Sequence, residues 1–200
     1  YTTTGACPTD STIAITITVD DDPSFNYSSA TFCLTGGNQI PTIIVTPLGT
    51  FLGSAGLLIN PTTGEIDVAG TGIGNFDVTY TTTGTCPANT TISIDITASP
   101  DATFSYSGSP YCQIGTATIT FGPGASGGVF SEATGDLSIN TSTGEVDLPN
   151  SIPGIYTVEN DIAASGGCAA SSESTTIEVL ATDDASYSYS STAECQSGTD

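Results

Sequence analysis

The feature that most constrains this chain is that it repeats itself. Its first eight residues, YTTTGACP, return as YTTTGTCP at residues 80–87, and INPTTGEID from Ile59 matches INTSTGEVD from Ile139. The cysteines keep nearly the same step, with intervals of 79 and 82 residues in one series and 79 and 83 in the other: Cys7, Cys86 and Cys168, then Cys33, Cys112 and Cys195. Self-similarity at a fixed period predicts an array of equivalent structural units.

The repeat fixes the expected domain organisation. Residues 1–20 match the end of a unit and are expected to be its C-terminal strands, 21–99 and 100–182 are two full units, and 183–200 match the start of another. A half unit at each end would leave strands without partners, which is a poor domain boundary. We therefore expect the sequence to be a window on a longer repeat array.

Within one unit the pattern is that of short β-strands. Residues 74–83 and 90–98 alternate apolar and polar side chains, which places Phe76, Val78 and Tyr80 opposite an isoleucine series across a turn. Further strands are predicted at Phe25–Ser28, after Pro41, after Gly56 and after Gly64, and no segment has helical periodicity. About seven short strands in each unit of this length predict an all-β fold of tandem immunoglobulin-like β-sandwich domains.

Composition excludes most catalytic chemistry. The chain has no lysine, arginine or histidine, and its 21 Asp and Glu residues give a formal net charge of −21. Without His or Lys there is no Ser-His-Asp triad, Cys-His pair, Schiff base or P-loop. The negative charge disfavours nucleic acid and anionic membranes as partners, and no apolar run is long enough for direct membrane insertion.

Two pairs of carboxylates are the remaining candidates for catalysis. Glu65 with Asp67, and Glu145 with Asp147, are two residues apart and so lie on one face of a strand. Paired carboxylates hydrolyse glycosides in many enzymes. Here the pair recurs at the same hairpin of each unit, which is typical of a structural turn, and we predict that the protein is not an enzyme.

The repeats resemble a known family. The segments FSYS and YC, followed by LSINTSTGEVDLPNSIPGIYTV and a Gly-Cys turn, resemble the Ig-like repeats of giant secreted and cell-surface adhesin or filament proteins of Bacteroidota. GLLINPTTGEID is also similar to a bacterial repeat of the putative-Ig type. The resemblance implies export by type IX secretion and an extracellular or cell-surface location.

Two cysteines in each unit of an exported chain predict disulfides. The lack of histidine and of C-x-x-C spacing argues against zinc. The simplest pairing is within a unit, Cys33 with Cys86 and Cys112 with Cys168, with Cys7 and Cys195 pairing outside the window. In a standard Ig sandwich these turns lie at opposite ends, which is too far for a disulfide. The alternative pairing, Cys33 with Cys168, would link one unit to the next.

Acidic residues mark the three junctions between units, in VDDDPSF, ASPDATF and ATDDASY. Carboxylates at such junctions are candidate Ca²⁺ ligands, because calcium prefers six to eight oxygen atoms. The competing interpretation is that they are solvated turn formers and solubility charges. The candidate ligands are Asp20, Asp21, Asp22, Asp101, Asp183 and Asp184.

These features together predict a structural function. We expect a disulfide-braced repeat unit of a large extracellular filament or adhesive appendage, used for attachment, gliding, or contact with prey or host. Its expected partners are further copies of the chain, in a filament or bundle, and another cell surface or a glycan. The alternatives are a passive stalk and an Ig-like module that binds a glycan or a protein partner.

Overall fold

A computed structural model describes residues 1–183 and 185–188 of the chain. The chain divides into two compact units. Unit 1 comprises Tyr1–Ser99 together with the short segment Ala164–Ala169, and unit 2 comprises Pro100–Ala163 and the chain from Ala170 onward. Strands dominate both units, so the fold class is all-β, as the sequence predicts.

Unit 1 is built on a four-stranded sheet with the strand order β2-β6-β5-β4. The strand β2 runs parallel to β6, and the other neighbours are antiparallel. A second, two-stranded sheet pairs β1 with β3. The strands are β1 (Phe25–Asn26), β2 (Thr31–Cys33), β3 (Ile43–Ile44), β4 (Thr50–Gly53), β5 (Gly74–Thr81) and β6 (Asn89–Thr97).

The core of unit 1 lies between these two sheets. Phe25 of β1 packs edge-on against Phe51 of β4 with ring centroids 5.3 Å apart, and Phe51 also contacts Tyr80. Burial of aromatic and aliphatic side chains on the inner face of each sheet is what holds a β-sandwich together. The buried cluster consists of Phe25, Tyr27, Phe32, Phe51, Leu57, Ile66, Val68, Val78, Tyr80, Ile94 and Ile96.

Unit 2 repeats this plan. Its four-stranded sheet has the order β11-β13-β14-β8, with β8 parallel to β14, and two smaller sheets pair β10 with β7 and β12 with β9. The strands are β7 (Phe104–Tyr106), β8 (Tyr111–Cys112), β9 (Thr116–Ala117), β10 (Ile119–Phe121), β11 (Val129–Glu132), β12 (Val146–Asp147), β13 (Gly154–Ile162) and β14 (Ser171–Leu180). The core contains Phe104, Tyr106, Ala117, Phe130, Leu137, Val146, Leu148, Tyr156, Val158, Ile177 and Val179.

The turn shared by INPTTGEID and INTSTGEVD explains why those residues recur. The Asn60 side chain accepts hydrogen bonds from the backbone N–H groups of Thr62 and Thr63, and Gly64 returns its N–H to the Asn60 carbonyl. Gly64 has φ +73°, and a Cβ there would lie 2.9 Å from the Phe51 ring. Only glycine combines this backbone with such close packing.

The predicted strand pattern needs several corrections. The segments after Gly56 and Gly64 form isolated bridges in place of continuous strands, and the structure has two strands that the sequence pattern does not predict, β2 and β4. A one-turn helix, α1 (Val68–Thr71), lies between the segment after Gly64 and β5. Asp67 caps this helix by accepting a hydrogen bond from the Gly70 N–H. Unit 2 has a 3₁₀ helix, Leu148–Asn150, at the same place. A single turn is too short to show helical periodicity in sequence.

Candidate functional site

The described residues contain one disulfide, which joins Cys33 and Cys168 across 135 positions of sequence. The two Cα atoms are 4.7 Å apart, within the range that a disulfide spans. Both cysteines are buried, with 7% and 4% of their surface exposed. Cys33 belongs to the first repeat and Cys168 to the second, so the bond covalently connects two successive repeats of the sequence.

Cys33 is positioned by the parallel pairing of β2 with β6. The register places Cys33 beside Thr97, the last residue of β6, and the Leu34 N–H donates to the Thr97 carbonyl. Thr35 and Ser99 are joined by their hydroxyls at 2.8 Å, and the Ser99 hydroxyl lies 3.2 Å from the Cys33 sulfur. Hydroxyl groups at the end of the β2–β6 pair therefore surround the Cys33 sulfur.

Cys168 is presented by the connection between β13 and β14. We call residues 164–169 the disulfide turn; they belong to unit 1 by their contacts. Ser165 and Cys168 pair across it, and Gly166 and Gly167 have φ +56° and +75°. A Cβ at Gly167 would lie 2.6 Å from the Thr31 carbonyl oxygen, so a side chain there would force the disulfide turn away from β2.

Thr97 is the residue that the sequence interpretation missed. Its hydroxyl donates to the Gly166 carbonyl at 2.5 Å and lies 3.6 Å from the Cys168 sulfur. The Cys168 sulfur is also 3.3 Å from the Ala98 carbonyl oxygen. The sequence did carry one signal for this site, the Gly-Gly pair before Cys168, which indicates a turn with unusual backbone angles and close approach.

The pairing within a unit, Cys33 with Cys86 and Cys112 with Cys168, was wrong. Cys86 and Cys112 carry no disulfide in the structure. The physical reason is the length of β6: Cys33 is level with Thr97 at one end of that strand, whereas Cys86 precedes Asn89 at the other. At about 3.3 Å per residue the nine-residue strand separates them by roughly 26 Å. The alternative pairing is the one in the structure.

Three other described cysteines have no disulfide. Cys7 and Cys112 are exposed, and Cys86 is partly buried. The Cys86 sulfur lies 2.9 Å from the Thr18 hydroxyl, while Cys112 stands beside Leu180 in the parallel register of β8 and β14. Cys195 lies outside the described residues, so its predicted pairing outside the window stays a prediction.

In the described part of the chain, no group of three or more carboxylate or thiol side chains is placed so that it could hold a metal ion, and the candidate calcium ligands there form no such group. Asp21 accepts a hydrogen bond from the Gly84 N–H, and hydrogen bonds from Ser24 and Thr103 lower the pKa of Asp22 and Asp101 below the usual range. Asp20 and Asp183 are exposed. Asp184 lies outside the described residues. Calcium binding at the junctions stays a prediction.

The paired carboxylates take structural roles. Glu65 accepts a hydrogen bond from the Asn38 side chain, Asp67 caps α1, and Asp147 accepts from Asn150. Glu65 and Asp67 line an open hollow of about 310 Å³. Glu65, Asp67 and Asp147 thus each hold a turn of their own unit, which is what a repeated hairpin predicts.

No family model and no curated protein matches the chain. Among solved structures, Drosophila N-cadherin EC1-4 is 11% identical with a TM-score of 0.36, and the match covers 80% of this chain and 50% of that one. Murine CEACAM1b is 9% identical with a TM-score of 0.42, covering 80% and 99%. Mouse Cadherin-23 EC22-24 is 16% identical with a TM-score of 0.32, covering 80% and 67%.

The chain spans about half the length of the N-cadherin fragment it matches. At these sequence identities and TM-scores, the structural similarities carry no argument about function. The β-sandwich fold follows from the strand order and register given above. Within residues 1–183 and 185–188, no helix has the length and hydropathy that crossing a membrane requires. The chain is thus an all-β protein of β-sandwich units whose sequence repeats are connected by a disulfide.

Proposed function

We propose that the chain is a structural repeat region of a large extracellular filament or adhesive appendage. The observation that supports this most is the Cys33–Cys168 disulfide, because it joins one repeat to the next. A disulfide that closed within one repeat would stabilise that repeat alone. A bond between repeats instead limits how far neighbours can separate when the array is pulled.

Construction from repeats suits a long polymer. Each unit has its own buried aromatic and aliphatic cluster, so each repeat adds its own stability and the chain lengthens without a new fold. Persistent disulfides also require an oxidising compartment, which supports an extracellular or cell-surface location. The Bacteroidota origin and type IX export follow from the family resemblance and are part of the proposal.

The charge decides how copies of such a chain associate. With no lysine or arginine and a net charge of −21, contacts between copies have no side-chain salt bridges available. Self-association would use strand edges, hydroxyl hydrogen bonds and exposed apolar side chains, at an ionic strength that screens the repulsion. We expect no nucleic-acid partner and no enzymatic activity, since the chain lacks the side chains that most mechanisms need.

Electron microscopy of native, unreduced material tests this proposal. The expected result is a fibre with an axial repeat of roughly 35–45 Å, about one strand length plus a junction. Reduction of the disulfides is expected to make the fibre more extensible. Single flexible strings that end in a distinct head would contradict the filament and identify the repeats as a passive stalk. Binding of isolated repeats to a glycan array would favour the ligand-binding alternative.

A further inference from the structure

The surroundings of Cys86 repeat those of Cys168. In the repeat alignment Cys86 takes the place of Cys168, and Thr18, which is 79 residues before Thr97, takes the place of Thr97. The Cys86 sulfur lies 2.9 Å from the Thr18 hydroxyl, where the Cys168 sulfur lies 3.6 Å from that of Thr97. In both places the sulfur is 4.0 Å from the threonine carbonyl oxygen.

The turn that carries Cys86 is also held against residues 18–21. The Asp21 N–H donates to the Cys86 carbonyl at 3.0 Å, and the Gly84 N–H donates to the Asp21 carboxylate at 2.8 Å. A turn with a cysteine therefore lies on the end of residues 12–18, as the disulfide turn lies on the end of β6. One component is missing from the Cys86 arrangement, namely the cysteine that corresponds to Cys33.

Residues 13–19 form the surface that a repeat carrying that cysteine would cover. Ile13, Ile15, Ile17 and Val19 have 84–93% of their surface exposed. Ile94 and Ile96, the equivalents of Ile15 and Ile17 in β6, are 1% exposed. Residues 13–19 therefore have the alternating apolar pattern of an inner strand, but no facing sheet buries their apolar side chains.

We propose that Cys86 is the turn half of a second disulfide link, whose other half is a cysteine at the end of a β2-type strand from a further copy of the repeat on the N-terminal side. That strand would run parallel to residues 16–18, with its cysteine level with Thr18, as Cys33 is level with Thr97. The same repeat would bury Ile15 and Ile17. The inference rests on the proposed function in one respect, since it assumes that the repeats continue as an array.

Cys112 is the strand-end half of a corresponding disulfide link on the C-terminal side. It ends β8 level with Leu180, and the Gln113 N–H donates to the Leu180 carbonyl, as Leu34 does to Thr97. Its thiol is exposed. Cys112 would receive the Gly-x-Cys turn of a further repeat on the C-terminal side. The links would then form a series, each joining the β2-type strand of one repeat to the disulfide turn of the next.

Bond formation is ordinary thiol oxidation. Two thiols and a low-molecular-weight disulfide such as oxidised glutathione give one protein disulfide and two glutathione thiols, with one thiolate attacking at each exchange step.

A chain extended by one repeat tests the proposal directly. A copy of residues 21–79 is placed before Tyr1, so that the junction Thr79–Tyr1 reproduces the natural Thr79–Tyr80 and residues 1–20 complete the added repeat. After oxidation with glutathione, free thiols are alkylated and disulfides mapped by mass spectrometry of chymotryptic peptides, because trypsin has no cleavage site here. The expected result is a bond between the copied Cys33 and Cys86, loss of alkylation at Cys86, and continued alkylation of Cys7.

The matched control carries Cys33→Ser in the added copy only, and there Cys86 should become alkylatable again. A bond between the copied Cys33 and Cys7 would overturn the proposal, because it would be a link within one repeat. So would alkylation of Cys86 equal to that in the unextended chain, or an added repeat that does not fold, because the proposal requires residues 1–20 to complete that repeat.

The opposite extension provides an independent measurement. Appending a copy of residues 118–182 after Asp200 continues the repeat that starts at residue 183, and Cys112 should then bond to the copied Cys168. Both extensions measure disulfide connectivity and are independent of microscopy. A continuing series of links in repeats that form no fibre would refute the filament alone, and fibres whose Cys86 stays a thiol would refute this inference alone.

Discussion

Tyr80 in unit 1 and Asn160 in unit 2 occupy the same place in the repeat, two residues beyond the buried Val78 and Val158, and both are almost completely buried. Each holds the loop that leads into the neighbouring strand of the same sheet, β4 in unit 1 and β11 in unit 2. The Tyr80 hydroxyl donates to the Thr46 carbonyl and accepts from the Gly49 N–H. Asn160 accepts from the Gly128 N–H, which is 79 residues after Gly49.

The two residues differ in how many groups they satisfy. In addition to accepting from Gly128, the Asn160 side chain donates hydrogen bonds to the Ala102 and Ser126 carbonyls at 2.9 and 3.0 Å. Unit 2 has the longer, glycine-rich loop GPGASGG at this point, whereas unit 1 has TPLG. A loop with few side chains of its own needs more hydrogen bonds from the sheet. The hydrophobic core is thus conserved between the units in its pattern, while the polar anchor changes with the loop.

The largest expected difference between the units comes from the covalent anchor. Cys33 and Cys112 end equivalent strands, but only Cys33 is in a disulfide in the structure. Replacing the pair, Cys33→Ser with Cys168→Ser, should lower the free energy of unfolding by about 5 kcal/mol for a closed loop of 135 residues. Urea denaturation followed by intrinsic tyrosine fluorescence measures this effect.

Cys112→Ser is the matched control for that experiment, since it changes the same position of the other repeat. It should leave the urea midpoint of the chain within experimental error. If the double variant and the control unfold at the same urea concentration, the disulfide does not stabilise unit 1 and the comparison between the two cysteines fails.

The second difference concerns the two polar anchors. Asn160→Leu should cost about 3 kcal/mol, because it leaves the buried Ala102 carbonyl and the partly buried Gly128 N–H and Ser126 carbonyl without their partner. Tyr80→Phe keeps the aromatic packing and strands two groups, and should cost about 1–2 kcal/mol. Thermal unfolding of both variants beside the parent chain gives the ranking. A greater loss in Tyr80→Phe would reverse the argument from loop composition.

The sequence predicts the hydrophobic part of this molecule better than its polar and covalent parts. Alternation predicts β5 and β6 and the burial of Val78, Tyr80 and Ile94, because inner-face positions of a strand must be apolar. The anchor role of Asn160 gives no such signal, since its partners are backbone groups far away in sequence. The disulfide pairing depends on which end of a strand each cysteine occupies, and that is decided by the parallel pairing of β2 with β6.

A feature that the units share gives the third prediction. Tyr27 and Tyr106 donate hydrogen bonds to the Gly64 and Gly144 carbonyls, both at 2.6 Å, and burial raises the pKa of both phenols well above the ordinary value. A raised folded-state pKa contributes stability that is complete below the unfolded pKa of about 10 and is lost as pH rises toward the folded value. Stability should therefore decrease above about pH 10.

Variants with Tyr27→Phe and Tyr106→Phe test that assignment. Each should lose about 1 kcal/mol at neutral pH from the missing hydrogen bond, and their double variant should show a shallower loss of stability between about pH 10 and 11. Urea midpoints measured across this range decide the matter. An unchanged slope in the double variant would mean that other groups cause the alkaline loss.

The smallest expected difference separates Asp67 from Asp147, which precede the short helical turns of the two units. Asp67 accepts a hydrogen bond from the Gly70 N–H at 2.9 Å, whereas Asp147 makes no such cap and instead accepts from the Asn150 side chain. Asp67→Ala should therefore cost about 1 kcal/mol and Asp147→Ala only a few tenths of that. Hydrogen exchange at Gly70 and Thr71 should accelerate in the first variant, while the second should leave the 3₁₀ turn of unit 2 unchanged. Equal effects would show that both aspartates act through charge alone, because the loss of a charge is common to the two substitutions and the cap is not.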